Sequence, residues 1–313
     1  MTSSPAISVI MPAYNCGPYI AKAINSILEQ TFQDFELLIC DDASTDNTWS
    51  VIDGFTDKRV RKFRHEVNKG GLATYNDLLQ FTTGTFVTIQ DSDDWAHEQR
   101  LQLQYDVFQR FPDVGLCYTN GVLYYSETLY KDYAPFKQGY ITITDPFPKI
   151  AASIMFRREV LKKVPGFNSY FDRLTAWDEH FIMEILFHFK GYALNRYLYF
   201  IRFRSESNHR SLNHQRKLTV HEAFELLKKQ RIETGSDWLM ENKQDKLLEF
   251  EKSLLKNRKF IAEKYREHAV YQIDAGKVSG AMSLLAKSFW LNPLSSITYQ
   301  TFFYGLRKML LGG

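Results

Sequence analysis

The chain has 313 residues, 44% of them hydrophobic, which suffices for one large core with an appended module. Its net charge of +3 is unevenly distributed, because the segment from position 214 onward holds 17 Lys and Arg against 11 Asp and Glu. The rest of the chain holds 22 against 25, a balance that excludes a nucleic-acid-binding surface by charge. The C-terminal positive surplus could face an anionic partner or belong to a solvated helical surface.

Through most of the first 210 residues, continuous apolar runs alternate with segments whose apolar residues are spaced as on one face of a helix. In chain order the patterns predict a strand at 7–11 that ends at Pro12, a helix at 18–29, strands at 35–40 and 60–65, a helix at 70–79, strands at 86–90 and 114–125, a helix that opens at Trp177 and a strand at 198–203. Alternation of strand and helix predicts an α/β fold, with a mostly parallel sheet flanked by helices.

Polar clusters follow three of the predicted strands directly. Tyr14–Asn15 follows the first strand, Asp41–Asp42 the second and Asp91-Ser92-Asp93-Asp94 the fourth. Ligands of such sheets bind outside the carboxyl ends of the strands, so we expect these clusters to converge. Three acids within four positions repel one another, which predicts a bound divalent cation, and oxygen-only ligation suits Mg²⁺ or Mn²⁺.

Part of the acidic pattern has a simpler explanation, because Asp is a common helix N-cap. Asp41 and Asp42 could cap a helix that begins near Asp46, although capping normally needs only one such residue. Asp94 could likewise cap the helix that the spacing predicts over 99–107. The residues alone leave these alternatives open beside ligand binding.

A set of ordered motifs carries a resemblance to a known family. They are Ile7-Ser8-Val9-Ile10-Met11-Pro12-Ala13-Tyr14-Asn15, Ser26-Ile27-Leu28 with Gln30-Thr31, Asp41-Asp42-Ala43-Ser44-Thr45-Asp46-Asn47-Thr48, Asn68 with Gly70, and Asp91-Ser92-Asp93-Asp94. In this order and spacing, residues 6–210 resemble glycosyltransferase family 2. The resemblance implies a GT-A (Rossmann-like) fold, a nucleotide-diphospho-sugar donor, a divalent metal cofactor and inversion at the anomeric carbon.

The resemblance also implies roles for individual residues. A uracil would be recognised by Asp41 or Asp42, with the backbone from Pro12 to Tyr14 lining the base. Asp93 would be the main metal ligand, and Asp91 would be shared between ribose and metal. The implied residues are Pro12, Ala13, Tyr14, Asn15, Asp41, Asp42, Asn68, Gly70, Asp91, Ser92, Arg202 and Arg204 for the nucleotide-sugar, and Asp93, Asp91 and His209 for Mn²⁺ or Mg²⁺.

The acceptor hydroxyl needs a base, which the resemblance assigns to an acid at the start of a late helix. Here Trp177 is followed by Asp178 and Glu179, so Asp178 is favoured as the catalytic base and Glu179 is the alternative. A structural explanation exists as well, because a helix N-terminus stabilises acids by itself. Two positions depart from the family, since Tyr75 stands where Arg is common and Arg204 stands where His is usual.

From position 214 onward the strand patterns give way to long amphipathic helices, which predicts domains at 1–213 and 214–313. Residues 269–293 resemble a single tetratricopeptide-type helix pair. Further on, the aromatic-rich segment 302–306 precedes Arg307–Lys308. That segment could form an interfacial membrane helix, or it could pack on a core or a partner, including a second copy of the chain.

Cellular location follows from cysteines and hydropathy. Cys16, Cys40 and Cys117 lie in or beside apolar runs without metal-binding spacing, which predicts reduced structural thiols and a cytoplasmic location. The N-terminus has no basic segment, so we expect no signal peptide. The uncharged segment 288–306 contains Pro293 and several polar residues, so we expect no membrane span there, and peripheral contact with the inner membrane face stays open as one alternative for the segment after it.

The expected function is a metal-dependent inverting glycosyltransferase of surface polysaccharide synthesis. It would move a hexosyl or N-acetylhexosaminyl unit from a nucleotide-diphospho-sugar, with a UDP-sugar favoured, to a glycan or lipid-linked acceptor. The alternative is a non-catalytic nucleotide-sugar-binding assembly subunit. A dinucleotide-dependent oxidoreductase is disfavoured, because Pro12-Ala13-Tyr14-Asn15 replaces the glycine fingerprint after the first strand.

Overall fold

A computed structural model describes residues 4–148, 150–204, 215–274 and 277–311. The chain divides into two compact units, one comprising Met1–Arg173 with Trp177–Phe203 and the other comprising Leu174–Ala176 with Arg204–Gly313.

The first unit is organised around one mixed β-sheet, to which the described residues contribute ten strands. These are β1 (Ile7–Ala13), β2 (Phe35–Asp41), β3 (Val60–Arg64), β4 (Phe86–Ile89), β5 (Trp95–Ala96), β6 (Val114–Tyr124), β7 (Tyr130–Asp132), β8 (Gly139–Ile141), β9 (Met155–Arg157) and β10 (Lys190–Arg202). The main path runs β3-β2-β1-β4-β9-β6-β10-β5, with β7 beside β6 and β8 beside β10. β3, β2, β1 and β4 are mutually parallel, whereas β9 is antiparallel to both of its neighbours.

Helices connect the parallel strands of this sheet. They are α1 (Gly17–Leu28), α2 (Thr48–Asp53), α3 (Gly71–Gln80), α4 (Arg100–Arg110) and α5 (Trp177–His188). Ile20 and Ile24 of α1 are buried in one apolar cluster with Val9 of β1 and Ile39 of β2. Strands buried on both faces read as unbroken apolar runs, which is why they could be predicted. The predicted α/β fold with a mostly parallel sheet is confirmed.

The first strand extends past its predicted end. β1 continues to Ala13, and Pro12 pairs with Cys40 of β2. On its other side, β1 pairs with β4 only as far as Ile10, whose carbonyl accepts from the Gln90 N–H at 3.0 Å. Beyond that point no strand on this side requires a donor, so a residue without an N–H fits the strand. The prediction that the strand ends at Pro12 was therefore wrong.

The described residues of the second unit are helical. Its helices are α6 (Val220–Thr234), α7 (Gln244–Lys256), α8 (Arg258–Asp274), α9 (Val278–Leu291) and α10 (Ser296–Leu311). A small core lies between α8 and α9, around Ala269, Ile273 and Leu285, and Phe302 of α10 packs against it. Within the described ranges, no helix combines the length and apolar character needed to cross a membrane.

A buried ion pair in the second unit yields a stability prediction. Arg231 of α6 and Asp237 are both fully buried, and Arg231 Nε donates to Asp237 Oδ2 at 2.9 Å. The other carboxylate oxygen accepts two backbone N–H groups. Asp237→Ala removes the countercharge from a guanidinium held in the interior. We expect the free energy of unfolding of this unit to fall by about 3–5 kcal/mol in urea denaturation.

The same helix offers a matched control. Lys229 and Glu233 form an exposed pair at 3.9 Å, so Glu233→Ala should change the free energy of unfolding by less than about 1 kcal/mol. Equal losses of stability in Asp237→Ala and Glu233→Ala would contradict the argument from burial.

Candidate active site

The predicted polar clusters all lie at the same edge of the sheet. β1 lies between β2 and β4 and is parallel to both, so the segments after these strands share that edge. Asn15 N–H donates to Ser44 Oγ at 3.0 Å, and Asn15 Oδ1 accepts from the Thr45 N–H at 2.9 Å. Asn15 has φ 47°, a left-handed conformation that Asn tolerates. The first two clusters are thereby joined, with the Tyr14 ring exposed beside them.

Asp42 holds the turn that opens α3. Its Oδ1 accepts from the Lys69 N–H and its Oδ2 from the Gly70 N–H, each at 2.8 Å. The Asn68 side-chain amide donates to the Asp42 carbonyl at 3.1 Å. Gly70 has φ 92°, where a side chain would be strained. These bonds fasten the predicted donor residues Asn68 and Gly70 to the end of β2.

Asp41 is fully buried and pairs with Arg64, whose Nε lies 3.1 Å from Asp41 Oδ2. The alternative that Asp41 and Asp42 cap the following helix is wrong. Asn47 occupies the N-cap position of α2, and the side chain that accepts from the Thr48 N–H at the start of this helix is that of Asp46, at 2.9 Å. The two acids therefore serve the loops around the sheet edge rather than the helix start.

Two buried tyrosines hold Asp91 at the end of β4. The Tyr75 hydroxyl of α3 donates to Asp91 Oδ1 at 2.5 Å, and the Asp91 N–H donates to the Tyr199 hydroxyl at 3.0 Å. Burial, and then the negative charge of Asp91, raise the pKa of both hydroxyls well above the ordinary value. Both tyrosines therefore stay protonated, and Tyr75 stays a donor to this carboxylate.

Asp94 links the acidic motif to β10. Its Oδ1 accepts from the Arg202 N–H at 2.8 Å, while Arg202 Nε donates to the Asp93 carbonyl at 3.1 Å. Burial raises the pKa of Asp94 well above its usual range, and the charges of Asp93 and Asp91 raise it further. The alternative that Asp94 caps the next helix is wrong, because Gln99 occupies the N-cap position of α4.

Cations and aromatic rings border the acidic motif on the side of α1. The Arg202 guanidinium lies 4.9 Å from the centre of the Tyr19 ring and 5.1 Å from that of Trp95. The Lys22 ammonium lies 3.5 Å from the centre of the Trp95 ring. Burial, followed by the charge of Arg202, lowers the pKa of Lys22. The predicted phosphate-binding residue Arg202 therefore reaches the acidic motif, and Lys22, which the sequence did not single out, lies over the neighbouring Trp95 ring.

Asp178 approaches the same tyrosine from the first turn of α5. Burial raises the pKa of Tyr75 most, and the charges of Asp91, Asp93 and Asp178 raise it further, so the negative charges of three carboxylates act on one hydroxyl. The Tyr75 and Trp177 rings pack with their centres 5.2 Å apart. The charge of the predicted base position Asp178 and that of the predicted metal position Asp93 thus both act on the Tyr75 hydroxyl.

The remaining predicted residues have different positions. Ser92 is buried near the Cys16 thiol, whose pKa burial raises to about 11. Glu179 is half-buried in the first turn of α5. Arg204 begins the second compact unit, and His209 lies outside the described residues.

The acidic motif suits a metal that shares its coordination with a ligand. Among the described residues, no group of three or more His, Cys, Asp or Glu is arranged to hold a metal by itself. Asp91 and Asp93 are nevertheless close enough to Asp94 to raise its pKa through their charges. Mg²⁺ is commonly held by one or two carboxylates together with phosphates and water. The residues present therefore fit a divalent metal bound along with a diphosphate.

Sequence reasoning gave no role to Tyr199, Lys22 or Arg64, and it left Tyr75 as a stacking or packing residue. Tyr75 and Tyr199 occupy buried positions of a helix and a strand, where a tyrosine reads like any apolar residue. The one signal for Tyr75 was its departure from the family pattern four residues after Gly71.

A mixed open sheet with acids at the carboxyl edge of its parallel strands is the architecture of a GT-A glycosyltransferase. Residues 8–165 match the sequence profile described as Glycosyl transferase family 2. EpsE of Bacillus subtilis (strain 168), named as a candidate glycosyltransferase, is 30% identical over 221 residues, which cover 66% of this chain and 76% of EpsE. The chain belongs to glycosyl transferase family 2, as its motifs predicted.

A further relative and a solved structure are similar to this chain. WfgD of Escherichia coli, a UDP-Glc:alpha-D-GlcNAc-diphosphoundecaprenol beta-1,3-glucosyltransferase, is 39% identical over 98 residues, which are 31% of this chain and only 39% of WfgD. The structure of S. aureus TarS 1-349 in complex with UDP-GlcNAc matches with a TM-score of 0.58 at 19% identity, over 96% of this chain and 79% of that one. The latter likeness shows the shared fold.

Proposed function

We propose that the chain is an inverting, metal-dependent glycosyltransferase that moves a hexosyl or N-acetylhexosaminyl unit from a UDP-sugar to a glycan or lipid-linked acceptor in surface polysaccharide synthesis. The observation that carries the proposal is the Tyr75 hydroxyl, which donates to Asp91 and whose pKa the charges of Asp91, Asp93 and Asp178 all raise. Like charges repel, and the stabilisation that the start of α5 gives an acid does not require other acids nearby. A transfer site, in contrast, needs a base beside the departing diphosphate.

The proposed reaction is a single displacement. The acceptor oxygen forms a bond to the anomeric carbon while the bond between that carbon and the diphosphate oxygen breaks, which inverts the configuration. The hydroxyl proton passes to Asp178, and the nucleoside diphosphate leaves with the electron pair. Asp178 lies in the first turn of α5, which would place its carboxylate beside the acceptor hydroxyl.

The donor would lie across the ends of β1, β2 and β4. The uracil N3–H would donate to Asp41 or Asp42, with the backbone of Pro12–Ala13 and the exposed Tyr14 ring beside the base. Asp42 is already held by backbone hydrogen bonds and Asp41 by its ion pair with Arg64. Nucleotide binding would therefore lose little conformational entropy in ordering these side chains. The similarity to WfgD, whose name specifies a UDP-Glc donor and a diphosphoundecaprenol-linked acceptor, supports a UDP-sugar and a lipid-linked acceptor.

Asp93 and Asp91 would hold Mn²⁺ or Mg²⁺, with His209 as a further candidate ligand. When bound, such a metal neutralises the charge that builds on a departing diphosphate. Arg202 borders the same acids and would contact the phosphates directly through its planar fork of donors, with Lys22 over the neighbouring Trp95 ring as a second candidate cation. Arg204 is the proposed additional phosphate contact.

Residues 1–213 would carry the transfer, and residues 214–313 would form a helical extension available for contacts with the membrane or with a second copy. The three cysteines are free and buried, which supports a reducing cytoplasmic location.

Turnover of a panel of nucleotide-sugars tests the proposed function. The expected result is release of UDP from a UDP-sugar in the presence of Mn²⁺, lost with a chelator and restored by added metal. NMR of the product should show an inverted anomeric configuration. Failure of every donor to give turnover or metal-dependent nucleotide binding would overturn the proposal. Metal-dependent UDP binding without any turnover would instead favour the non-catalytic assembly subunit.

Tyr75→Phe should weaken metal-dependent UDP binding while leaving the fold intact. The change removes the hydroxyl that donates to Asp91 at 2.5 Å, so the carboxylate loses the bond that orients it. A hydrogen bond to a charged group contributes about 1.5–3 kcal/mol, so we expect an affinity loss of about tenfold or more in calorimetric titration. Tyr105→Phe alters a ring packed against Phe32 and Phe86 and should bind like the native chain. Equal affinities for both variants would refute the positioning role of Tyr75.

A further inference from the structure

The turn between α9 and α10 exposes large apolar side chains. Trp290 is 74% exposed, Leu294 is 93% exposed and Ile297 is 50% exposed. We call these three residues the apolar corner. They lie within eight positions of one another, inside a stretch from 288 to 306 that contains no charged residue. Exposed apolar residues that cluster in this way mark an interaction surface.

The exposed side of α10 continues this surface. Tyr299, Phe303 and Arg307 follow at intervals of four residues, and all three are exposed. Phe302, by contrast, packs against the core of α8 and α9. The segment 302–306, which the sequence left between membrane contact and core packing, is thus divided between the two faces of one amphipathic helix.

The charged residues that follow α8 in the sequence have one sign, although Asp274 at the end of α8 accepts from the Tyr304 hydroxyl of α10. No Asp or Glu occurs after position 274, whereas four Lys or Arg do. One of them, Arg307, ends the exposed row of α10, and Lys308 follows it. From α8, the Arg258 guanidinium lies 5.2 Å from the centre of the Trp290 ring and donates to the Trp290 carbonyl at 3.1 Å. The surface therefore combines aromatic and aliphatic groups with cations.

Anionic lipid fits this combination better than a second copy of the chain does. Aromatic rings and long cationic side chains settle at the headgroup level of a bilayer, and aliphatic groups enter its apolar layer. Basic residues near an anionic leaflet add electrostatic attraction. A second copy would place like charges opposite one another, and charged residues are depleted from the cores of protein interfaces.

We propose that the apolar corner docks the second unit on an anionic lipid surface. Trp290 and Leu294 would enter the interfacial layer, with Arg307 and Lys308 at the lipid phosphates. The helices would lie on the bilayer, because none among the described residues is long and apolar enough to span it. The purpose of docking, meeting a lipid-linked acceptor, rests on the proposed function, whereas lipid binding itself can be measured independently.

Co-flotation of the full chain with vesicles tests the docking surface. We expect the chain to float with phosphatidylcholine vesicles that contain phosphatidylglycerol, less so at high salt, and not with phosphatidylcholine alone. Trp290→Ser combined with Leu294→Ser should weaken the partition coefficient by at least about tenfold, because two interfacial contacts are lost. Met240→Ser, which alters an exposed apolar residue elsewhere in the same unit, should float like the native chain.

Charge variants separate the electrostatic part. Arg307→Gln with Lys308→Gln should reduce the dependence on phosphatidylglycerol, whereas Lys229→Gln with Lys246→Gln on other exposed helix positions should not. Leu294→Asp alters a single exposed side chain and keeps the test valid should the double apolar variant fail to fold.

Two outcomes would overturn the inference. One is equal flotation of the native chain and the Leu294→Asp variant. The other is a native chain that ignores vesicles but self-associates in sedimentation, with the Leu294→Asp variant monomeric, which would assign the corner to a second copy. UDP release measured in parallel distinguishes the two proposals. UDP release without vesicle binding would refute the lipid-docking proposal alone. Vesicle binding without turnover of any donor would refute the proposed function alone.

Discussion

Asp178→Asn should lower kcat by about 10²–10⁴-fold, which is the usual contribution of a positioned general base. The side-chain amide keeps the size of the carboxylate, and its oxygen can still accept the Glu179 N–H that now donates to Asp178 Oδ1 at 2.9 Å. It cannot take the proton of the acceptor hydroxyl. UDP release at saturating donor and acceptor measures the loss, and metal-dependent UDP binding should stay close to that of the native chain.

Glu179→Gln is the matched control for this prediction, because it makes the same chemical change at the neighbouring position of α5. We expect its kcat to change little. Near-native transfer by Asp178→Asn, together with a large loss in Glu179→Gln, would contradict the assignment and make Glu179 the base.

Asp93→Asn should abolish metal-dependent nucleotide binding and lower transfer by about 10²–10³-fold. The neutral amide is a much poorer ligand for Mn²⁺ or Mg²⁺, and a metal at a departing diphosphate contributes several kcal/mol, which corresponds to a loss of this size. Titration of UDP in the presence and absence of Mn²⁺ measures the effect. Excess Mn²⁺ should restore part of the activity, because the variant weakens the metal site without removing Asp91.

Asp106→Asn serves as the control, since Asp106 is an exposed acid of α4 that bonds Gln102. It should titrate with Mn²⁺ and UDP as the native chain does. An Asp93→Asn variant that shows the native Mn²⁺ dependence would exclude Asp93 as a metal ligand.

The parallel half of the fold could be predicted because strands buried on both faces of a sheet appear in the sequence as continuous apolar runs. β1, β2 and β4 are almost wholly apolar, and each ends where polar residues begin. Ligand-binding polar clusters follow these ends in any parallel sheet, so their convergence could be predicted as well. The family motifs then named the chemistry, which spacing alone did not supply.

The antiparallel strands of the sheet have a weaker pattern in the sequence. β5, β7, β8 and β9 have two or three residues each, too few for an alternating pattern. Both helix-cap alternatives that the sequence left open were wrong for a related reason. Asp94 is drawn to the backbone of Arg202, 108 residues later, and Asp42 is drawn to the turn at Gly70. Contacts between residues so distant in sequence are invisible to a local pattern.

Buried polar side chains were the least predictable part of the site. Arg100 is fully buried and donates to Gln90 Oε1, to Thr88 Oγ1 and to a carbonyl of β4, and burial lowers its pKa to about 10. From the sequence alone, an arginine at the start of an amphipathic helix is expected to lie on the solvated surface. Tyr75 and Tyr199 read as core residues, although their hydroxyls hold Asp91. In each case the partner, not the residue type, decides the role.

The account depends on one site in which the nucleotide, the metal and the base lie together at the carboxyl edge of the sheet. A crystal structure of the full chain with Mn²⁺ and a non-transferable UDP-sugar analogue tests this most directly. The account predicts an anomalous manganese peak at coordination distance from Asp93, the uracil beside Asp41 or Asp42, and the sugar facing Asp178. A nucleotide bound elsewhere, or manganese bound away from Asp93 and Asp91, would contradict it.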